Sequence, residues 1–173
     1  ARVMFIPCAC PPHKSRAGLL PAEHRLRMIE LAIKGDPRFS VSDIEIVRGG
    51  ISYSIETVRA LLRKYPGAHL HLIMGMDALL ELYLWKDVYA LLELCQVITM
   101  ARPGSAVRVT PADLRLTPPW PQRLLKNLAH GHLMDISATE IRRRVAEDMP
   151  IRYLVPLAVE AYIAEHRLFT SGG

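Results

Sequence analysis

Apolar residues recur along the chain with two alternating periods. The segment 22–34 carries Leu26, Ile29 and Ile33 at the spacing of one helical face, and the segment 54–65 repeats this pattern. Short apolar runs that are typical of strands lie between the helical segments. We predict strands at 3–7, 41–47, 69–74, 95–101 and ending at Ile136, further helices at 77–83, 87–94, 138–147 and 156–167, and a proline-rich loop at 103–121. The alternation predicts an α/β fold with a mainly parallel sheet flanked by helices.

Length and composition are those of a domain with a substantial core. Half of the 173 residues are apolar and no repeat or linker divides them, so we expect one domain over 1–173 with a helical C-terminal part at 137–168. The net charge of +5 favours anionic partners without separating nucleic acids from small phosphates. From the sequence we expect no membrane span and no leader, and the three cysteines are an odd number. We therefore expect a cytoplasmic protein with reduced thiols and no membrane partner.

One short stretch combines a helix start with three adjacent cations. Ser137 and Glu140 fit the capping box, in which the serine accepts from a first-turn N–H and the glutamate reaches back to the cap. Arg142, Arg143 and Arg144 follow near the positive end of the helix dipole, where cations gain nothing. Either all three arginines are solvated, or one of them faces an anion. Only one can do so, because consecutive side chains point about 100° apart on a helix.

Segments that follow strands are candidates for chemistry, because ligands of parallel α/β sheets bind beyond the carboxyl ends of the strands. Four segments qualify: PCACPPHK, GMDALLELYLWKD, ARPG and ISATEIRRR. Cys8 and Cys10 in the first segment lack a second ligand pair, so no metal site is predicted. Judged alone, other residues in or near these segments have ordinary structural roles: His13 and Lys14 in an exposed loop, Ser54 and Asp77 as helix caps, Trp85 in the core.

Together these segments resemble bacterial nicotinate-nucleotide adenylyltransferase, of the nucleotidyltransferase α/β-phosphodiesterase superfamily. The resemblance runs nearly end to end and includes Ser-Tyr-Ser at 52–54, Trp-Lys-Asp at 85–87 and Ile-Ser-Ala-Thr-x-x-Arg at 136–142. It implies a Rossmann-like fold and transfer of the adenylyl group of ATP to nicotinate mononucleotide, giving nicotinate adenine dinucleotide and pyrophosphate in NAD biosynthesis. It also implies Mg²⁺ bound with ATP and no nucleic-acid partner, and it leaves a homo-oligomer open.

The resemblance further implies which residues bind each substrate. Those assigned to ATP and its phosphates are His13, Lys14, Gly75, Asp77, Arg102, Ser137, Thr139 and Arg142. Those assigned to nicotinate mononucleotide are Ser52, Tyr53, Ser54, Trp85 and Lys86. By this resemblance ATP is the anion that Arg142 faces, and Arg142 has a supporting role in catalysis. Trp85 is expected to lie against the pyridine ring.

The chain departs from the family at one motif. Members begin with a strand, a glycine-rich turn with Phe-x-Pro, and His-x-Gly-His at the start of the first helix, which contacts ATP phosphates. The segment most similar to this motif, LAHGHL, has Ala129 in place of the first histidine. We interpret His130 and His132 as surface or strand-edge residues. We expect the first strand and helix, with the main catalytic histidines, to precede Ala1. We therefore expect these 173 residues alone to lack adenylyl transfer.

Two other functions stay open at this point. A pantetheine-phosphate adenylyltransferase of the same superfamily also uses ATP, but Ser-Tyr-Ser and Trp-Lys-Asp argue against that acceptor. A phosphate- or RNA-binding protein without catalysis would fit the basic charge. It predicts a basic stripe with interleaved aromatic residues, whereas only 6% of the residues are aromatic.

Overall fold

The computed structural model describes residues 2–12, 19–101, 109–131 and 136–170. Its elements in chain order are β1 Val3–Phe5, α1 Ala22–Ile33, β2 Phe39–Val41, α2 Ile44–Arg48, α3 Ser54–Lys64, β3 His71–Gly75, α4 Met76–Leu80, α5 Val88–Leu94, β4 Gln96–Ala101, α6 Trp120–Lys126, β5 Leu128–His130, α7 Ala138–Ala146 and α8 Leu157–Glu165. They form two compact units, a terminal unit of Ala1–Ile51 with Met134–Gly173 and a central unit of Ser52–Leu133. One domain over 1–173 stays a prediction.

The terminal unit contains a short parallel pair of strands. β1 pairs with β2, Val3 lies opposite Phe39, and α1 forms the connection between the two strands. The core of this unit consists of buried aliphatic side chains from α7, α8 and their flanking segments: Ile141, Ile151, Val159, Ile163 and Leu168. A hydrogen bond of 2.8 Å between His24 Nδ1 and the Tyr162 hydroxyl joins α1 to α8.

The central unit contains a three-stranded parallel sheet in the order β3, β4, β5. Side chains alternate across a strand, so paired residues share a face. Met74 and Thr99 are such a pair and are buried, whereas Ile73 and Met100 next to them in sequence are exposed. The buried face joins a core of mostly leucine side chains: Ile55, Val58, Leu79, Leu82, Leu91, Leu92, Leu114 and Leu124. This core holds α3, α4 and α5 to the sheet.

The helices of the described residues are short. The longest is α1 with 12 residues, which at about 1.5 Å per residue falls well below the roughly 30 Å of a bilayer core. Within the described parts of the chain, no helix combines the length and the hydropathy that crossing a membrane requires.

Most of the predicted elements are confirmed. The helices predicted at 22–34, 54–65, 138–147 and 156–167 are α1, α3, α7 and α8, each within two residues at its ends. The helix predicted at 77–83 is α4 followed by a 3₁₀ helix at Leu82–Leu84. The three strand pairs are parallel, as the alternation of strands and helices predicts.

The strand predicted at 41–47 is wrong over most of its length. β2 ends at Val41, and the following residues form α2. The N–H of Ile44 donates to Ser42 Oγ at 3.4 Å, a local turn that competes with continued strand pairing. Alternation over so few residues does not distinguish a strand from one turn of an amphipathic helix.

The proline-rich loop predicted at 103–121 is also corrected. Its second half contains a 3₁₀ helix at Pro111–Leu114, which starts with a complete capping box between Thr110 and Asp113. α6 begins at Trp120, with Pro121 in its first turn. Proline suits this position because an N–H there would have no helical partner, so these prolines start helices. The predicted strand end at Ile136 is wrong, because Ile136 lies in no strand and the strand before it, β5, spans Leu128–His130.

Two leucines provide a matched test of the central core. Leu79 has 0% of its surface exposed, whereas Leu84 is 55% exposed. Leu79→Ala removes a buried side chain and leaves a cavity, so we expect the free energy of unfolding to fall by about 2–5 kcal/mol. Leu84→Ala should cost less than about 1 kcal/mol. Urea unfolding followed by circular dichroism measures both changes, and equal losses would contradict this assignment of the core.

Candidate functional site

The segment assigned to the mononucleotide forms the start of α3. Ser52 is buried, and Tyr53 occupies the N-cap position, where its carbonyl accepts from the N–H of Glu56 at 3.0 Å and of Thr57 at 3.3 Å. Ser54 is the first helical residue, and the N-cap position before it makes no side-chain capping hydrogen bond. The prediction that Ser54 caps this helix is therefore wrong, because the helix begins one residue earlier than a Ser54 cap requires.

Trp85 and Lys86 lie in a three-residue turn between the 3₁₀ helix and α5. Trp85 is half-buried against the central core. The ammonium of Lys86 donates to Glu56 Oε1 at 2.8 Å and lies 4.3 Å from the centroid of the Tyr53 ring. The hydrogen bond to Glu56 is the main reason that the pKa of Lys86 is raised above its ordinary value. The two segments assigned to the mononucleotide therefore meet, and the charge of Lys86 is already balanced.

Gly75 and Asp77 follow β3 directly. α4 starts at Met76 with Gly75 as its N-cap, and Asp77 lies exposed in the first turn, where a carboxylate interacts favourably with the helix dipole. The prediction that Asp77 caps the helix is wrong, because strand and helix join without an intervening turn. A Cβ on Gly75 would meet no atom within 4 Å, so protein packing does not itself require glycine there.

The residues assigned to phosphate in the terminal unit lie at the start of α7. Ser137 is the N-cap: its Oγ accepts from the N–H of Glu140 at 3.1 Å, as predicted. The other half of the predicted capping box is wrong, because the Glu140 carboxylate accepts from Arg143 at 2.8 Å instead of returning to the cap. This hydrogen bond is the main reason that the pKa of Glu140 lies below its ordinary value.

The three arginines of α7 differ in their partners. Arg143 forms ion pairs with Glu140 and Glu147, and Arg144 lies 3.6 Å from Glu140. Arg142 is exposed and donates to Thr139 Oγ1 at 3.2 Å. No carboxylate of the described ranges lies within ion-pair distance of Arg142, so it is the arginine of the three whose charge stays unbalanced there.

Several predicted residues fall outside the part of the chain that the structure describes. These are His13, Lys14, Arg102 and His132, and the side chain of His130 is likewise not described. Their assigned roles stay predictions. Among the residues that are described, no three His, Cys, Asp or Glu side chains are grouped to hold a metal ion.

Arg25 of α1 holds the segment that follows β1. Its guanidinium donates to the carbonyl oxygens of Cys8 at 2.6 Å, Ala9 at 3.4 Å and Leu20 at 2.9 Å. One side chain thus joins two stretches of chain that are separated in sequence. Sequence reasoning missed Arg25, since a single arginine on a helix carries no signal of backbone partners elsewhere.

Sequence reasoning also missed two charged residues of α3. Besides the Glu56 pair, Arg59 Nη1 lies 3.7 Å from Asp87 Oδ2. Glu56 and Arg59 are one helical turn apart, and Lys86 and Asp87 are adjacent with opposite charges. This complementarity is visible in the sequence only once α3 is known to lie beside the turn.

Known proteins share both the sequence and the fold. Residues 1–144 match the cytidylyltransferase-like family. A probable nicotinate-nucleotide adenylyltransferase of Geotalea daltonii is 41% identical over 99% of this chain and 85% of its own length. One from Citrifermentans bemidjiense is 42% identical over 97% of this chain and 84% of its own length.

A solved structure supports the predicted architecture. The nicotinic acid mononucleotide adenylyltransferase of Plasmodium falciparum, complexed with NaAD, matches 97% of this chain and 82% of its own with a TM-score of 0.71 at 15% identity. At that identity the likeness concerns the fold, and it confirms the Rossmann-like α/β prediction. Because this chain is 41% and 42% identical to the two bacterial relatives over nearly its whole length, this protein belongs to the nicotinate-nucleotide adenylyltransferase family.

Proposed function

We propose that the protein transfers the adenylyl group of ATP to nicotinate mononucleotide, forming nicotinate adenine dinucleotide and pyrophosphate in NAD biosynthesis. The observation that carries the proposal is the 41% identity over 99% of the chain to a probable enzyme of that name. Nucleotidyltransferases generally use a divalent metal ion. We propose that this ion is Mg²⁺ and that it enters with ATP, whose phosphate oxygens bind it.

The reaction joins two anionic phosphates. A phosphate oxygen of the mononucleotide attacks the α-phosphorus of ATP in line. The bond between that phosphorus and the oxygen that bridges it to the β-phosphorus breaks, and pyrophosphate leaves with the electron pair. The protein has to position the two groups and offset their repulsion, and it needs no covalent nucleophile. Backbone N–H groups, hydroxyls and cations suit this task.

The start of α7 offers such donors to ATP. The N–H groups of Ala138 and Thr139 precede the first helical hydrogen bond, which the N–H of Ile141 makes to the Ser137 carbonyl at 3.0 Å. The hydroxyls of Ser137 and Thr139 each accept one hydrogen bond and keep their own O–H to donate. Together with the guanidinium of Arg142, they are our proposed ligands for triphosphate oxygens.

Five residues earlier in the chain are also assigned to ATP. By the family resemblance, His13, Lys14 and Arg102 also bind phosphate, and Gly75 with Asp77 lies on the adenosine and ribose side. The open space beside Gly75 is compatible with the close approach of a ligand. All three cysteines are free thiols, which fits the cytoplasmic location that we propose for this ATP-dependent step.

The acceptor is assigned to the central unit. The indole of Trp85 would stack on the pyridine ring, and backbone N–H groups beside Ser54 and at Lys86 would face the carboxylate. Because Glu56 already balances the charge of Lys86, we attribute recognition of the acid mainly to N–H groups. A carboxylate offers only acceptors, whereas an amide brings two hydrogens that such donors cannot accept.

Acceptor preference tests the proposed function directly. In the full gene product we expect kcat/KM for nicotinate mononucleotide to exceed that for nicotinamide mononucleotide by about tenfold or more, since an unmet polar group costs about 1–3 kcal/mol. Pyrophosphate release measures both values, with 4′-phosphopantetheine as a third acceptor that should give none. Equal values for the two mononucleotides would refute the nicotinate assignment while leaving adenylyl transfer intact.

Two neighbouring arginines test the proposed ATP contact. Arg142→Ala should lower kcat/KM for ATP by the equivalent of about 1.5–3 kcal/mol, because a hydrogen bond to a charged phosphate is lost. Arg143→Ala is the matched control, since that guanidinium is engaged by Glu140 and Glu147, and it should cost far less. Steady-state kinetics with varied ATP distinguishes them, and equal losses would contradict the role of Arg142.

Trp85→Ala tests the proposed stacking on the pyridine ring. We expect the KM for nicotinate mononucleotide to rise by up to about tenfold, in line with about 0.5–1.5 kcal/mol for an aromatic ring contact, while the KM for ATP changes little. Trp120→Ala is the control, because Trp120 also packs partly buried against the central core but is not assigned to a substrate. A similar rise in both variants would indicate a general loss of structure instead of a lost ring contact.

A further inference from the structure

Two ion pairs of opposite polarity connect α3 with the turn that carries Trp85. Glu56 accepts from Lys86 at 2.8 Å, and Arg59 lies 3.7 Å from Asp87. Residues three apart on a helix lie on the same face, and the two turn residues are adjacent. The helix carries a negative and then a positive residue, and the turn carries a positive and then a negative one. Both pairs can therefore form at once only when the helix and the turn are aligned as they are here.

The turn has little regular structure of its own to determine its shape. It lies between the 3₁₀ helix that ends at Leu84 and α5, which begins at Val88. Asp87 adopts a left-handed backbone with φ of 49°, a conformation that is uncommon for non-glycine residues and more frequent for Asp than for most of them. Such a conformation persists where its surroundings stabilise it. Here Arg59 pairs with the carboxylate of Asp87, and Glu56 pairs with the ammonium of the neighbouring Lys86.

The stacking of Lys86 adds a third contact to the same arrangement. With its ammonium 4.3 Å from the Tyr53 ring centroid, Lys86 joins the N-cap of α3 to the turn. Trp85 directly precedes Lys86 in the chain and is itself only half-buried. The core therefore covers only part of Trp85, and the backbone of the turn sets the point from which its side chain extends.

We propose that Glu56 and Arg59 are positioning residues that hold Trp85 for the pyridine ring of the acceptor. The inference rests on the proposed function. In this proposal each residue acts through the turn, by its ion pair with Lys86 or Asp87. Both pairs are partly exposed, with 35–49% of the side-chain surface accessible, so each contributes modestly and the two act together.

Kinetics of neutral variants tests the proposal. For the double variant Glu56→Gln with Arg59→Gln, we expect the KM for nicotinate mononucleotide to rise about threefold to tenfold, with kcat and the KM for ATP within about twofold of the parent enzyme. Arg59→Gln alone should give a smaller rise of this KM, and Arg59→Lys, which keeps the charge, should avoid most of that rise. The matched control is Arg27→Gln with Glu30→Gln, which removes an exposed pair within α1 and should leave all three constants unchanged.

Tryptophan fluorescence tests the same point without activity. The chain has two tryptophans, so Trp120→Phe leaves Trp85 as its one tryptophan, which excitation at the red edge of the absorption band selects over tyrosine. In that background we expect the double variant to raise acrylamide quenching of Trp85 about twofold, because the indole becomes more accessible as the turn loosens. Unchanged quenching, or equal rises of KM for both substrates, would overturn the positioning role. No pyrophosphate from the parent enzyme with nicotinate mononucleotide would instead refute the proposed function, and the quenching result would still show whether the pairs hold Trp85.

Discussion

Apolar packing between α3, α5 and the buried face of β3 and β4 is the contact on which the candidate acceptor residues depend. Ile55 and Val58 of α3 share one core with Leu91 of α5 and with Met74 and Val97 of the sheet. Burying this surface sets the position of α3 beside the turn before α5. The ion pairs at the edge of the core add orientation to an arrangement that the hydrophobic effect stabilises.

The pairing of charges determines which cations can serve an incoming anion. The chain has 22 basic and 17 acidic side chains, a balance that says nothing about single residues. In α7, Glu140 and Glu147 balance Arg143, whereas Arg142 has only the Thr139 hydroxyl as its described partner. In the central unit, Glu56 balances Lys86. Similar basic residues near the predicted binding segments therefore differ in how far acidic neighbours balance their charge.

Local signals in the sequence predicted the helix starts unevenly. Ser137 is a cap because its side chain reaches an N–H three residues along the same chain, which a short motif can encode. Ser54 and Asp77 have equally suitable side chains, yet Tyr53 and Gly75 occupy the cap positions. At these two sites the packing of the preceding turn or strand decided where the helix begins. The same limit explains the misassigned segment after Val41, where a few alternating residues suit both a strand and a helical turn.

By itself the sequence determined the α/β class, the parallel order of strands, the Ser137 cap and the motif set that marks the family. These features depend on periodicity and on contacts within a few residues, which a linear pattern records. Only the tertiary structure decided that Lys86 is paired, that Arg59 lies beside Asp87, and that Arg25 binds three backbone carbonyls. Glu56 and Lys86 are 30 positions apart, and their contact exists because a shared apolar core brings their segments together. Electrostatic partners over such separations depend on distance in space, which the order of residues along the chain does not specify.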